Sequence, residues 1–173
     1  MDMDQNMISL IVAVVAMLVS FYTFYLTQEH RKKMAAVRGE SFSSRPLQLQ
    51  AYERLVLLAE RISLPSIISR ANQQHAGLEA RQMQVLLIES IKQEFEYNTS
   101  QQIYVSPTAW EAIRNLRDQN IYMINQVGST LPEGSTGTDL NRRLLEYLMN
   151  SRKSTLHEVV LEALNFEAKK IMR

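Results

Sequence analysis

The chain has 173 residues, of which 46% are hydrophobic and 21% charged, and it contains no cysteine. This composition excludes a long disordered chain, a disulfide framework and a Cys-ligated metal site. Its 19 basic and 18 acidic residues give a formal net charge of +1. Because phosphate binding needs a clear basic excess, we predict no nucleic-acid partner.

The N-terminal region contains a long apolar run. Residues 7–26, MISLIVAVVAMLVSFYTFYL, carry no charge over 20 positions. A helix rises about 1.5 Å per residue, so this run would cover about 30 Å, the thickness of the bilayer's hydrocarbon core. A buried core helix rarely runs this long without a charge, and a cleaved signal peptide has a basic start and a shorter apolar run. We therefore predict that residues 1–28 form a retained transmembrane anchor.

The charges that flank this run predict its orientation. Asp2 and Asp4 precede it, and the basic residues follow it, at Arg31, Lys32, Lys33 and Arg38. Basic residues stay on the cytoplasmic side of a span. We expect a single-pass protein of the cell (inner) membrane, with its N-terminus outside and its C-terminal part in the cytoplasm. Residues 29–45 are then a basic juxtamembrane linker, which sets the topology or, alternatively, attracts anionic headgroups.

Small side chains recur along the predicted span with spacings of 4, 3, 4, 3 and 4: Ser9, Ala13, Ala16, Ser20, Thr23 and Thr27. This heptad spacing places them on one stripe of a helix. Membrane helices associate where small side chains let their backbones approach. The stripe predicts a homo-oligomer formed through the span, and the alternative is a coincidence, since small residues are common in spans.

Residues 46–173 are predicted to form a cytoplasmic helical domain. Of the charged residues, 15 basic and 14 acidic ones follow residue 40, so this part is electrically balanced. Helical patterns begin near Pro46, Leu78, Ser106-Pro107, Thr138 and Thr155. The segment 64–70 is a candidate extra helix, and the last two patterns fit either two helices or one long bent helix. The predicted fold is all-α, an N-terminal transmembrane helix followed by a four- to five-helix antiparallel bundle.

Two helical faces are expected to enter the core. The second pattern places Met83, Leu87, Ile91 and Phe95 in i, i+4 steps, and the third carries Trp110, Ile113, Leu116, Asn120, Ile124 and Val127. Such spacing is typical of an amphipathic helix. Ser106 followed by Pro107 is a strong start signal, because Ser caps a helix and Pro fits its first position.

No motif for catalysis or cofactor binding occurs in the sequence. Phosphate loops, dinucleotide fingerprints, zinc-protease helices and EF-hands are all absent. His30, His75 and His157 lie in different segments, and we interpret His157, in the first turn of a helix, as a neutral surface residue. The prediction is a protein that is not an enzyme, with no catalytic, cofactor-binding or metal-binding residues.

Residues 94–110 combine amides, hydroxyls and aromatic rings between two predicted helices. The candidate partner or ligand corner consists of Tyr97, Asn98, Gln101, Gln102, Tyr104 and Trp110. Aromatic residues with a polar tip are typical anchors of interfaces. The alternative is a structural corner whose amides satisfy loose backbone groups.

Two blocks, LQAYERLVLLAERI (49–62) and IKQEFEYNTSQQIYVSPTAW (91–110), stand behind the N-terminal apolar run. This arrangement resembles an uncharacterised bacterial family of single-span membrane proteins with a helical cytoplasmic domain, over about residues 7–130. The resemblance implies a bacterial inner-membrane location. It implies no activity, cofactor or catalytic residue.

Two functions follow from these observations as hypotheses. The first is a membrane-anchored helical adaptor without catalytic activity, whose partners are the lipid bilayer and another protein. The second is a small membrane-tethered enzyme or ligand sensor with a polar and aromatic pocket around residues 94–110. A convergent cleft at that corner would favour the second function, and a filled corner would favour the first.

Overall fold

The computed structural model of the chain describes residues 16–29, 44–75, 77–150 and 156–172. The chain divides into two compact units, Met1–Ser44 and Arg45–Arg173. In the described residues the regular structure is helical, and the β-type pairing there is a single isolated bridge between Glu79 and Thr136. The predicted all-α class is confirmed.

In the first unit, residues 16–29 form helix α1. Its large apolar side chains are 56–69% exposed at Met17, Leu18, Val19, Phe21, Tyr22, Phe24 and Tyr25. The hydroxyls of Ser20, Thr23 and Thr27 donate to carbonyl oxygens of their own helix at 2.7–3.0 Å.

The predicted transmembrane helix overlaps α1 only in part. Residues 7–15 of the apolar run, with Ser9 and Ala13 of the small-residue stripe, lie outside the described residues. Among the described helices, none is both long and apolar enough to cross a membrane. The transmembrane helix therefore stays a prediction.

The second unit is a helical bundle with one short 3-10 turn at Thr99–Ile103. Its α-helices are α2 (Arg45–Ile62), α3 (Leu64–Gln74), α4 (Ala80–Tyr97), α5 (Pro107–Ser129), α6 (Gly137–Asn150) and α7 (Leu156–Met172). The described part of this unit thus has six α-helices, where the sequence predicted four or five. The difference arises because α3 is a complete helix of 11 residues, and because residues 137–150 and 156–172 pack on different sets of helices. Helix α6 contacts α3, α4 and α5, whereas α7 contacts α2 and α5.

Proline and serine fix two of the helix starts. Pro65 is the second residue of α3 and follows Leu64, which comes directly after the break at Ser63. Proline lacks an N–H and clashes with the preceding turn, so it ends one helix and suits the start of the next. At α5 the Ser106 Oγ accepts a hydrogen bond from the Ala109 N–H at 3.0 Å, and Pro107 follows the cap. The predicted start of α5 is confirmed, whereas the helix start predicted near Thr155 falls on a residue outside the described ones.

The core of the bundle is formed by aliphatic side chains from all six helices. On α4 the predicted face is buried at Met83, Leu87, Ile91 and Phe95. On α5 the predicted face is also buried, except that Trp110 is half-buried. Asn120 is 4% exposed within this face, and its Nδ2 donates to the Ile62 carbonyl oxygen at 2.8 Å. The amide thereby satisfies a carbonyl that the end of α2 leaves without a helical partner.

A polar network links α2, the start of α5 and α7. The Tyr52 hydroxyl and the Ser106 hydroxyl both donate to Glu167 Oε2, and the Ser106 N–H donates to the Tyr52 hydroxyl oxygen at 3.1 Å. Burial, followed by the hydrogen bond to Glu167, raises the pKa of Tyr52 above its ordinary value of 10.0. This network adds directional contacts to the apolar packing of α7, which buries Val160 and Leu164.

Candidate functional site

The six residues predicted as a partner or ligand corner lie around the turn between α4 and α5. Tyr97 ends α4 and is 74% exposed, whereas Asn98 directly after it is buried. Gln101 and Gln102 belong to the 3-10 turn, Tyr104 follows that turn and is exposed, and Trp110 lies in the first turn of α5.

Several side chains of this corner contact one another. The rings of Phe95 and Trp110 are 5.2 Å apart between centroids, and the Arg117 guanidinium lies 4.2 Å from the Phe95 centroid. The Asn98 Nδ2 donates to the Glu94 carbonyl oxygen at 2.9 Å, so this amide serves the end of α4. Such stacking and capping are the features of a structural corner.

The outer edge of the corner carries large exposed side chains. Ile103 is 73% exposed, and it lies in the chain between Tyr97 and Tyr104, which are also exposed. We call Tyr97, Ile103 and Tyr104 the corner edge. Exposed aromatic residues of this kind present contact area to a partner without an enclosed cavity.

An open groove of about 350 Å³ borders Tyr97 on the side of α2 and α3. The Arg61 Nη1 donates to both carboxylate oxygens of Glu94, at 3.1 and 3.2 Å. The Arg70 Nη2 donates to the Arg61 carbonyl oxygen at 2.9 Å. Because both guanidinium groups already have partners within the chain, this groove is a weak candidate for anion binding.

A more apolar cleft of about 410 Å³ lies where α2, α3, α5, α6 and α7 meet, and the sequence did not predict it. We call it the His157 cleft. Its apolar walls are Leu64, Pro65, Leu116, Met123, Leu148 and Leu156. Its polar lining is Glu60, Ser63, Ser66, Gln119, Asn120, His157 and Glu158.

His157 has an unusual environment in this cleft. Its Nε2 is buried and has no hydrogen-bond partner among the described residues, although Glu60 Oε2 lies 3.4 Å away. The distance falls within ion-pair range, but the geometry does not meet that of a hydrogen bond. The side chain is 23% exposed, so the ring that the sequence placed at the surface lies only partly at the surface. The packing of α7 on α2 brings the ring against Glu60, and no local sequence signal links two residues that are this far apart in the chain.

Metal binding finds no support in the described part of the chain, where no three His, Asp or Glu side chains are grouped to hold an ion. The polar groups that come together are instead hydrogen-bonded pairs and small networks. In the His157 cleft, for example, the Ser63 Oγ lies 2.9 Å from the Glu60 carbonyl oxygen and 2.8 Å from the Ser66 Oγ.

Comparison with known proteins gives a family but no activity. The chain belongs to a family of unknown function (DUF7935), which matches residues 1–171. No curated protein and no solved structure matches the chain. The predicted resemblance to an uncharacterised family is confirmed, while the bacterial and single-span character of that family stays a prediction.

Proposed function

We propose that the chain is a membrane-anchored helical adaptor that holds a partner protein at the cytoplasmic face of a bacterial inner membrane. The observation that carries this proposal is α1, whose large apolar side chains are all exposed from Met17 to Tyr25. An exposed apolar surface of this kind marks a contact with another protein or with lipid. Because residues 16–26 of α1 belong to an uncharged run of 20 residues, we assign the contact to the bilayer.

The proposed orientation rests on the flanking charges. Acidic Asp2 and Asp4 lie before the run, and four basic residues between Arg31 and Arg38 lie after it. The positive-inside tendency then places the bundle in the cytoplasm. Phe21, Tyr22, Phe24 and Tyr25 would form an aromatic belt at the cytoplasmic interface.

The partner is proposed to contact the corner edge. Its three side chains are exposed between the end of α4 and the residue after the 3-10 turn, and the Phe95 and Trp110 rings contact each other in the same corner. Tyrosine side chains offer a large amphipathic contact area and have only two side-chain torsions to fix when a partner binds. The contact between the Phe95 and Trp110 rings and the bond from Asn98 to the end of α4 favour this role over an enzyme or ligand sensor whose pocket is formed by residues 94–110.

Fractionation and protease protection test the membrane part of the proposal. We expect the full chain to stay with membranes after alkaline extraction, and a version that begins at residue 41 to become soluble. A protease added outside spheroplasts should leave the bundle intact and should digest it in inverted vesicles. Soluble full-length protein, or digestion from outside, would contradict the proposal.

Photo-crosslinking in membranes tests the partner surface. A photoreactive residue at position 97 or 104 should give the same protein adduct. The control position is Tyr122, which is 60% exposed on α5 and should not give that adduct. If all three positions gave the same adduct, or none gave any, the corner edge would not be the partner surface.

A further inference from the structure

We propose that the outer face of α7 pairs, in an antiparallel arrangement, with the same face of a second copy of this chain. The side chains that would form the contact are Val159, Ala163, Phe166 and Lys170, and we call them the α7 seam. The proposal concerns residues other than those of the corner edge and of α1, and it does not depend on the adaptor function. Two observations support it: the heptad spacing of exposed side chains and the signs of the charges beside them.

The α7 seam has the spacing of a coiled-coil contact. Its members follow one another at intervals of 4, 3 and 4 residues, which are the intervals between the a and d positions of a heptad. All four are exposed, and the exposed fraction is 49% for Val159 and 62% for Phe166. Another side of α7 holds the helix in the bundle, through the buried Val160 and Leu164. The helix therefore has one side in the core and presents a second, apolar side at the surface.

The sizes of the seam side chains complement each other when one copy is reversed. An antiparallel pair places Ala163 of one copy opposite Phe166 of the other, so a small side chain meets a large one. In the same register Val159 lies opposite Lys170. The Lys170 ammonium lies 4.9 Å from the centroid of the Phe166 ring in its own helix, and the aliphatic part of a lysine side chain can pack on an apolar surface while its charge stays in water.

The charges beside the seam identify a reversed second copy as the occupant. Glu162 and Lys169 are exposed, and each directly precedes a member of the seam, so both lie on the same flank of it. Neither forms an ion pair with a described residue. In an antiparallel pair of identical helices the same flank of each copy meets, so Glu162 of one copy lies beside Lys169 of the other, twice by symmetry. A flank with one acid and one base is thus complementary to itself.

A parallel pair would lack this match. In that arrangement each flank meets the other flank of the second copy, and the other flank of the seam consists of Val160 and Glu167. Val160 is buried, and Glu167 accepts hydrogen bonds from Tyr52 and Ser106. The bundle already occupies that flank, so the charges favour the antiparallel arrangement.

Photo-crosslinking of the full chain in cells tests the pair. Two copies with different tags are expressed together, and a photoreactive residue at position 163 should join one tagged copy to the other. Glu162→Lys should reduce this adduct about tenfold, because two attractions become two repulsions, and Lys169→Glu should do the same. A chain with both changes again carries opposite charges on the flank, so it should form the adduct like the wild type.

A mixture of the two single variants identifies the occupant. A copy with Glu162→Lys carries two basic residues on the flank, and a copy with Lys169→Glu carries two acidic ones. The two variants should therefore crosslink to each other, although neither crosslinks well to itself. The control is Glu96→Lys, a charge reversal at an exposed position of α4, which should crosslink like the wild type.

Three results would overturn the proposal: an unchanged adduct in the single variants, no recovery in the double variant or in the mixture, or an adduct at position 163 with lipid or with a different protein in place of the second copy. Circular dichroism checks that each variant is folded. If a charge reversal prevents folding, Phe166→Ser replaces it and should weaken the adduct, and an unchanged adduct in that variant would overturn the proposal in the same way.

Discussion

At the scale of single residues, the hydroxyl of Tyr52 links three helices by hydrogen bonds. The Tyr52 hydroxyl on α2 donates to Glu167 on α7 and accepts from the N–H of Ser106 before α5. Tyr52→Phe keeps the buried ring and removes both bonds. We expect the free energy of unfolding to fall by about 1–2 kcal/mol, measured by chemical denaturation.

The matched control for this substitution is Tyr122→Phe. Tyr122 is 60% exposed, so the change should stay within about 0.5 kcal/mol. Equal effects of the two substitutions would show that the network adds nothing beyond packing.

The pKa of Tyr52 predicts a dependence on pH. Burial, followed by the hydrogen bond to Glu167, raises this pKa above 10.0. Between the unfolded and folded pKa values the folded chain keeps a proton that the unfolded chain has lost, so the free energy of unfolding falls as pH rises. Denaturation measured from about pH 8 to 11 should show a shallower fall in Tyr52→Phe. Parallel curves for the two proteins would contradict this prediction.

Sequence patterns identified individual roles in this network but not the contacts. Tyr52 recurs at helical spacing with Leu55, Ala59 and Ile62, which predicts a buried face, and Ser106 before Pro107 is a recognisable cap. Glu167 lies 115 residues from Tyr52, and no local pattern connects them. The proximity of His157 to Glu60 could not be predicted either, because it depends on how α7 packs on α2.

At the scale of elements, the contact between α4 and α6 depends on a glycine. A Cβ added at Gly137 would lie 2.9 Å from Met83 Cβ and 3.1 Å from the Leu78 carbonyl oxygen. Met83 Cβ and the carbonyl are tied to the backbone, so neither can turn away. Gly137→Ala should destabilise the bundle by about 1–3 kcal/mol in thermal or chemical unfolding.

The neighbouring Thr138→Ala serves as its control. Thr138 is exposed, and its replacement should change the free energy of unfolding by about 0.5 kcal/mol or less. If Gly137→Ala were as stable as this control, the close approach of the two helices would not be required.

Helix α6 begins with a reciprocal cap. Asp139 Oδ2 accepts from the Thr136 hydroxyl at 2.7 Å and from the Thr136 N–H at 3.1 Å, and the Asp139 N–H donates to Thr136 Oγ1 at 3.2 Å. The Thr136 hydroxyl, followed by its N–H, lowers the pKa of Asp139 below 3.8. The stabilisation is therefore present above the ordinary pKa and is lost as pH falls through the folded value.

Acid unfolding tests this cap. The wild type should lose stability on acidification in a step that Asp139→Asn lacks, as measured by circular dichroism against pH. Asp118→Asn, a change at an exposed carboxylate that pairs with Arg117, should retain the step. An identical acid profile in Asp139→Asn would contradict the assignment.

The helices themselves were largely predictable, while their number was not. Periodicity located the faces of α4 and α5, because burial of one face imposes a 3.6-residue repeat. A break of one residue at Ser63 leaves that repeat almost intact, so α3 was expected only as a candidate. The pairing of residues 78–80 with 135–137, through Ala80 N–H to the Ser135 carbonyl and Gly137 N–H to the Leu78 carbonyl, also depends on tertiary packing.

At the scale of the whole molecule, the two units differ in what they expose. The bundle has its own core and a balanced charge, whereas α1 presents apolar side chains on its surface. A compact unit with its own core needs no other segment to cover it. An apolar helix does need its surface to be covered, by lipid or by protein. This contrast is why the chain is proposed to be anchored through α1.

The described part of the small-residue stripe predicts a contact between two copies of α1. Ser20, Thr23 and Thr27 each bond to their own helix, so their hydroxyls lie along the backbone and leave a shallow surface. Two such surfaces can approach closely in lipid. Ala16→Leu would place a larger side chain on this surface and should weaken self-association in a membrane reporter assay. Met17→Leu, one position off the stripe, should leave self-association unchanged. Equal signals from Ala16→Leu and the wild type would show that any oligomer forms through another face of the chain.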